Sequence, residues 1–146
     1  MKIDGIFLME SVRLKSYRST AMWNFTREDK LRTWLDKECV VNDKNIAFSI
    51  NGKAVSMDIV KKDYDDQIEY VLNDDERSYS LKVYMMNCTS LTEFCTQINF
   101  IQEGFVDSDE RDYYKAFWNE KLDKLRENFN GSWIIEDKDL VLSVLR

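Results

Sequence analysis

The sequence of 146 residues contains no histidine and no proline, and it has few cysteines and glycines. Histidine is the usual base partner of a catalytic nucleophile, a common metal ligand and the side chain that titrates near neutral pH. Its absence excludes histidine-based nucleophilic catalysis, histidine metal sites and histidine proton shuttles. Because proline is also absent, chain turns must be located from glycine, asparagine and acidic residues.

The cysteines are also informative about redox chemistry. The chain has three of them, Cys39, Cys88 and Cys95, which is an odd number without a CxxC spacing. We therefore expect reduced thiols, and neither a disulfide framework nor a zinc site. With no histidine to act as a base, we also expect no thiol catalysis and interpret the cysteines as small buried residues.

The charge balance is acidic, with 27 acidic and 21 basic residues and a net charge of −6. Nucleic-acid binding depends on a basic patch, and anionic lipid surfaces attract basic segments. We therefore expect neither a nucleic acid nor a membrane as a partner. The apolar run at 5–9 ends at Glu10 and is too short for a signal peptide or a transmembrane helix. A cytoplasmic location is predicted.

Alternation of apolar and polar residues predicts an antiparallel sheet. A first strand lies at about 6–14, with a break in phase at Glu10. Asn51 and Gly52 separate two alternating runs, and this pair favours a hairpin because both turn positions require positive φ. Five consecutive strands are predicted after the first, at about 46–50, 55–59, 68–72, 79–85 and 94–100.

Two short helices are predicted between the first strand and the hairpin. We expect one at 20–24, capped by Ser19 and Thr20, and a second that Thr26 caps. The apolar stripe of the second helix is formed by Leu31, Trp34 and Leu35, at spacings of three and four.

One long helix follows the sheet. Asp107 and Glu110 are expected to cap its start, and it runs to about Phe129, before Asn130-Gly131. The residues of its apolar stripe are Tyr114, Trp118, Leu122, Leu125 and Phe129. An antiparallel sheet with one apolar face must be covered, and only this helix is large enough to cover it.

These elements predict an α+β fold in which a curved antiparallel sheet wraps on a long C-terminal helix. At this length the chain can bury a core without disulfides, and we expect one domain at 1–131. The segment 132–146 is an apolar C-terminal extension, which we expect to pack on the domain or on a partner.

Two segments carry a resemblance to a known superfamily. AMWNFTREDKLRTWL at 21–35 resembles the "vW-x-aLT-x-pe-x-L-x-x-W" segment of the activators of the heat-shock chaperone ATPase and their bacterial relatives, without its usual proline. WNEKLDKL at 118–125 is similar to the "W-x-x-x-L-x-x-L" of their terminal helix. This branch belongs to the helix-grip superfamily, also called START-like or SRPBCC. Both motifs are packing signatures, and the extension at 132–146 departs from the pattern.

The resemblance implies a cavity for an apolar ligand between the sheet and the long helix. Trp34 and Trp118 are more commonly core rings at such a contact, although the same rings could stack on a ligand. No catalytic residue, metal ligand or cofactor is identified. The predicted cavity-lining residues are Trp34, Phe48, Met57, Tyr70, Tyr79, Leu81, Phe94, Ile98, Tyr114 and Trp118.

Three functions remain open at this point. A non-enzymatic module that binds a small apolar or amphipathic molecule is favoured. The first alternative is a protein-interaction module, chaperone-linked or homodimeric, that uses the short-helix region with Arg18, Arg27 and Arg32 or the apolar extension. The second alternative is a cyclase or dehydratase, for which Tyr70, Tyr79 and Tyr114 are the candidate residues.

The acidic groups fall at turns and helix starts, where solvation and capping explain them better than calcium binding.

Overall fold

The structure, a computed structural model, describes residues 6–64, 66–88 and 95–130. The strands within these ranges are β1 (Phe7–Leu14), β2 (Val40–Asn42), β3 (Asn45–Ile50), β4 (Lys53–Asp63), β5 (Gln67–Asn73), β6 (Ser78–Asn87) and β7 (Thr96–Glu103). The helices are α1 (Arg18–Trp23), α2 (Glu28–Trp34) and α3 (Ser108–Asn130). The predicted α+β class and the order of the elements are confirmed, with β2 as a short addition.

All strands join one antiparallel sheet in the order β1-β7-β6-β5-β4-β3-β2. The first strand pairs with the last, and β1 and β2 form the two edges of the sheet. The chain passes from β1 to β2 through α1 and α2, so the two short helices lie on the connection between the edges. Inward positions alternate with outward ones along β5, β6 and β7. The inner face packs against α3, which contacts β1 and also α2.

The predicted hairpin is present between β3 and β4. Asn51 and Gly52 have φ values of 51° and 84°, and Ile50 pairs with Lys53 across the two-residue turn. Positive φ at both turn positions matches the right-handed twist of the flanking strands. The turn therefore sets the register that places Ile46, Phe48, Val55 and Met57 in the core.

The starts of the two short helices differ from the prediction. The first begins at Arg18, and neither it nor α2 has a side-chain hydrogen bond from its N-cap residue. The Thr26 hydroxyl instead donates to the carbonyl of Met22, four residues earlier. A threonine next to a helix end can bond back to the preceding turn as readily as it can cap the next helix. The N-cap of α2 is therefore Arg27.

The long helix begins as predicted. The Glu110 amide donates to Asp107 Oδ1 at 2.9 Å, and the Val106 amide donates to Glu110 Oε1 at 3.2 Å. The Asp107 bond caps a free amide of the first turn, and the Glu110 side chain reaches back to the amide of the residue before Asp107, as in a capping box shifted by one residue. The predicted stripe packs against the sheet, and Phe117 beside it is also buried. Among the described residues, no helix has both the length and the apolar character needed to cross a bilayer.

The expectation of three free thiols is wrong, because Cys88 and Cys95 form a disulfide with Cα atoms 5.1 Å apart. The register explains the pairing. Asn87 and Thr96 are opposite each other at the end of the β6–β7 ladder, so the next residue on each strand is also opposite. Cys39 remains a free, buried thiol. Burial, followed by the nearby Asp36 carboxylate, raises its pKa to about 11.

We predict that the disulfide between Cys88 and Cys95 stabilises the folded protein. Its cysteines are seven residues apart, and closing a loop of this size is worth roughly 2 kcal/mol in the chain-entropy description. Replacing Cys88 and Cys95 by serine should lower the free energy of unfolding by about that amount, measured by urea titration. Reductant should lower the stability of the wild type and leave the double variant unchanged. Equal stability with and without reductant in the wild type would contradict the prediction.

Candidate functional site

The inner face of the sheet holds most of the residues predicted to line a cavity. Nine of the ten are buried between the sheet and the helices, six on strands and three on α2 and α3, with exposed fractions of 5% or less. The tenth, Phe94, lies outside the described residues. The nine separate into aromatic groups along the inner face, with aliphatic side chains between them.

One group lies beneath the turn between α1 and α2. The Phe25 and Trp34 rings meet edge-on with centroids 5.2 Å apart. Trp34 Nε1 donates to the carbonyl of Asn24 at 2.8 Å, and the Tyr70 hydroxyl donates to the carbonyl of Phe25 at 2.6 Å. Burial raises the pKa of Tyr70 far above its usual value, so the phenol stays protonated. The Trp34 indole N–H and the Tyr70 hydroxyl therefore both hold the backbone of the α1–α2 turn by hydrogen bonds.

A central group lies under the middle of α3. Trp118 is fully buried, and its ring centroid lies 4.5 Å from that of Phe100 and 4.9 Å from that of Phe117. Phe48, on β3, is 6.4 Å away. Tilted contacts of this kind suit the quadrupoles of aromatic rings. This group brings rings from β3, β7 and α3 into contact.

A third group lies at the start of α3. Tyr79, Phe105 and Tyr114 have ring centroids 5.0 to 5.8 Å apart. The Tyr114 hydroxyl donates to Asp74 Oδ2 at 2.7 Å, and Arg77 Nε lies 3.0 Å from Glu110 Oε2. These polar contacts join the turn between β5 and β6 to the first turns of the helix.

The ionisation of this third group follows from its contacts. Desolvation alone would raise the pKa of Asp74, but hydrogen bonds from the Tyr114 hydroxyl and from the Arg77 and Glu76 amides lower it below its usual value. Burial, followed by the hydrogen bond to Asp74, raises the pKa of Tyr114. At neutral pH the pair is therefore a carboxylate that accepts a hydrogen bond from a neutral phenol.

Gln102 is the polar residue of the central group, and it was not among the predicted site residues. It is fully buried on β7, and its Oε1 accepts a hydrogen bond of 2.7 Å from Trp118 Nε1. Its Nε2 has no hydrogen-bond partner among the described residues. The sequence does contain a signal for its burial: Gln102 is two residues after Phe100 and four after Ile98, so it points to the same inner face of the sheet.

The arginines near the short helices do not form an open anion site. Arg18 pairs with Asp66, and Arg32 donates to the carbonyl of Cys39 and lies near Glu28. Arg27 stacks over the Trp23 ring at 4.0 Å. In the described part of the chain no cluster of three or more potential metal-ligating side chains is found.

The structural comparisons identify the architecture. No protein-family model matches the sequence, and no curated protein matches it. The Aha1 dimer from Colwellia psychrerythraea superposes with a TM-score of 0.73 at 12% identity, over 85% of this chain and 96% of that chain. An HSP90 activator from Plasmodium falciparum gives 0.68 at 12% identity, over 84% and 94%. Protein Ms6760 from Mycobacterium smegmatis gives 0.72 at 8% identity, over 88% and 93%.

The chain has the START-like, or SRPBCC, helix-grip fold. The resemblance noted at 21–35 and 118–125 is confirmed at the level of the fold. In this helix grip, Trp34 of the first segment packs under the short helices and Trp118 of the second packs between α3 and the sheet. At such low identity the likeness establishes the fold alone.

We predict that Asp74 contributes stability that disappears in acid. Because its pKa is lowered in the folded state, the contribution is complete above the unfolded value of 3.8 and is lost as the pH falls through the folded value. Asp74→Asn should cost roughly 1 kcal/mol at pH 7, since a charge-assisted hydrogen bond is weakened at a solvent-screened position. The difference from wild type should shrink below about pH 4.

Urea titrations across the pH range would measure this effect. Asp75→Asn is the matched control, because Asp75 is exposed on the same turn and its replacement should change little. A cost for Asp74→Asn that stays constant down to pH 2 would show that the carboxylate charge is irrelevant.

Proposed function

We propose that this helix-grip protein binds a small apolar or amphipathic molecule between its sheet and α3. The observation that supports the proposal is the composition of this interior. It is lined by aromatic rings from both the sheet and the helix, and the polar residues of the described core are all uncharged: Ser16, Asn24, Thr96 and Gln102. Burying apolar ligand surface there would contribute about 25 cal/mol per Å² before ordering costs.

The attachment of α3 favours such a role. Near its start the helix is held by the Tyr114–Asp74 hydrogen bond and the Arg77–Glu110 pair. Near its end, Asn128 Nδ2 donates to the carbonyl of Thr33 at 3.1 Å. Between these points the contacts are mainly apolar and non-directional. A ligand could replace some of them while the polar contacts keep the helix in position.

The tyrosines support binding better than acid–base catalysis. Tyr70, Tyr79 and Tyr114 all have raised pKa values, chiefly through burial. A phenol that stays protonated at neutral pH is a hydrogen-bond donor and a poor base. The enzymatic alternative would need an ionisable group that faces the ligand, and the Asp74 carboxylate already accepts a hydrogen bond from Tyr114 in the turn between β5 and β6.

A protein-interaction role is the second candidate, and strand β1 favours it. In the described part of the chain β1 pairs only with β7, along all eight of its residues. Its outward residues Phe7 and Met9 are 45% and 54% exposed. Long edge strands with apolar side chains are templates for pairing with another chain. Two structures of this fold are described as an Aha1 dimer and an HSP90 activator, so we include a second copy of this chain among the possible partners.

The ligand proposal predicts a retained molecule. Protein purified from its own host should show, by native mass spectrometry, an adduct of constant mass that denaturing solvent releases. Leu81→Phe should reduce the occupied fraction, because it adds volume to the inner face at a fully buried position. Lys82→Ala, at the next and outward-facing position, should leave the fraction unchanged. Protein without any adduct, and with no binding to a panel of apolar compounds, would argue against the proposal.

The dimer version of the second candidate makes a separate prediction. Met9→Glu should raise the dissociation constant of a β1-mediated dimer by about tenfold, since it removes an apolar side chain from the interface. Val60→Glu is the control, because Val60 is 59% exposed on β4, far from β1 in the strand order. Sedimentation velocity over a range of concentrations measures both. A wild type that stays monomeric throughout would remove the dimer version.

A further inference from the structure

The side chain of Gln102 is the starting point, because it differs from the other buried polar residues. The Thr96 hydroxyl donates to the carbonyl of Ser16 at 2.9 Å. Asn24 Nδ2 donates to the carbonyl of Thr20 at 3.0 Å, and the Ser16 hydroxyl donates to the carbonyl of Tyr17 at 3.1 Å. Within the described core, Gln102 alone keeps an amide donor unpaired, at Nε2.

The orientation of the Gln102 amide is determined by its other contact. Trp118 Nε1 can only donate, so the atom 2.7 Å from it must be the oxygen of Gln102. Exchanging the oxygen and nitrogen positions would place two donors against each other and satisfy neither. The free donor is therefore a consequence of the Trp118 contact.

The surroundings of Gln102 exclude a partner from the neighbouring strands. Its cross-strand neighbours are Leu8 on β1 and Leu81 on β6, and both are buried and apolar. Phe100 precedes it on the inward face of β7 and contacts the Trp118 ring. An amide donor left unpaired in such a place costs roughly 1–3 kcal/mol, and native structures usually supply a partner.

We propose that Gln102 Nε2 is the polar anchor of the ligand site, and that the ligand presents an uncharged oxygen acceptor, such as a ketone, ester or ether, to it. This inference rests on the proposed function and specifies the chemistry of the ligand. The acceptor is uncharged because the described core contains no cationic side chain to balance a carboxylate or phosphate. The remainder of the ligand is apolar, as the surrounding rings and leucines require.

Three naphthalene probes of similar size test the proposal: 2-acetylnaphthalene, 2-ethylnaphthalene and 2-naphthoate. The acetyl compound carries a neutral oxygen, the ethyl compound has no acceptor, and the naphthoate is charged. We expect the wild type to bind the acetyl compound about fivefold to tenfold more tightly than the ethyl compound, and to bind the naphthoate most weakly. In ¹⁵N-resolved NMR titrations, the Gln102 side-chain amide should shift with the acetyl compound and much less with the ethyl compound.

Two variants show whether the preference depends on this amide. Gln102→Leu combined with Trp118→Phe removes both polar partners together, which avoids leaving the indole donor unpaired. Its ratio of acetyl to ethyl affinity should fall to about one. Gln102→Met is a second variant in case the double variant folds poorly. Gln97→Leu, on the same strand but on the opposite face, should keep the wild-type ratio.

The outcomes separate this inference from the proposed function. Equal wild-type binding of the acetyl and ethyl compounds would overturn the inference and leave apolar binding intact. An acetyl-to-ethyl affinity ratio that stays at the wild-type value in the double variant would also overturn the inference and leave apolar binding intact. If no probe binds the wild type and the Gln102 amide contacts only a buried water, both the inference and the proposed function fail.

Discussion

The covering of the apolar face of the sheet by α3, together with α1 and the α1–α2 turn, is the constraint on which the structure depends. An antiparallel sheet whose inward positions are apolar cannot leave that face in water. Trp118 lies at the centre of the contact, fully buried against Phe100 and Phe117. The antiparallel return of β1 beside β7 widens the face that α3 covers. The aromatic character of the candidate site is therefore a product of the same packing that holds the fold together.

Short sequence patterns predicted most of the secondary structure, because turns and helix starts depend on the backbone conformation of a few neighbouring residues. The Asn51-Gly52 turn and the Asp107–Glu110 cap each depend on backbone geometry within a few residues, and both are present. The cap of α2 was predicted wrongly because Thr26 had two acceptable partners. The Cys88–Cys95 disulfide depends on the register between β6 and β7, which an odd cysteine count does not indicate.

At the candidate site, the sequence predicted which side chains are buried but not the hydrogen bonds that they make. Period-two alternation on the strands and three-and-four spacing on the helices identify which side chains face inward, and the described residues of the predicted lining are buried. The partners come from distant parts of the chain, as with Tyr114 and Asp74, 40 residues apart. Gln102 was not predicted because it is a polar residue in the inward phase of β7, and apolar alternation does not indicate such a residue.

The two candidate functions use different parts of the same sheet, its inner face and its β1 edge with the outward side chains beside it, so evidence for one does not exclude the other. Leu8 lies on the inner face opposite Gln102, while its neighbour Met9 points outward at the edge. A ligand would change the packing beneath α3, and a second chain would add to the backbone edge of β1. Since adjacent residues of one strand serve the two faces, a substitution at either position is interpretable only when ligand content and association are both measured.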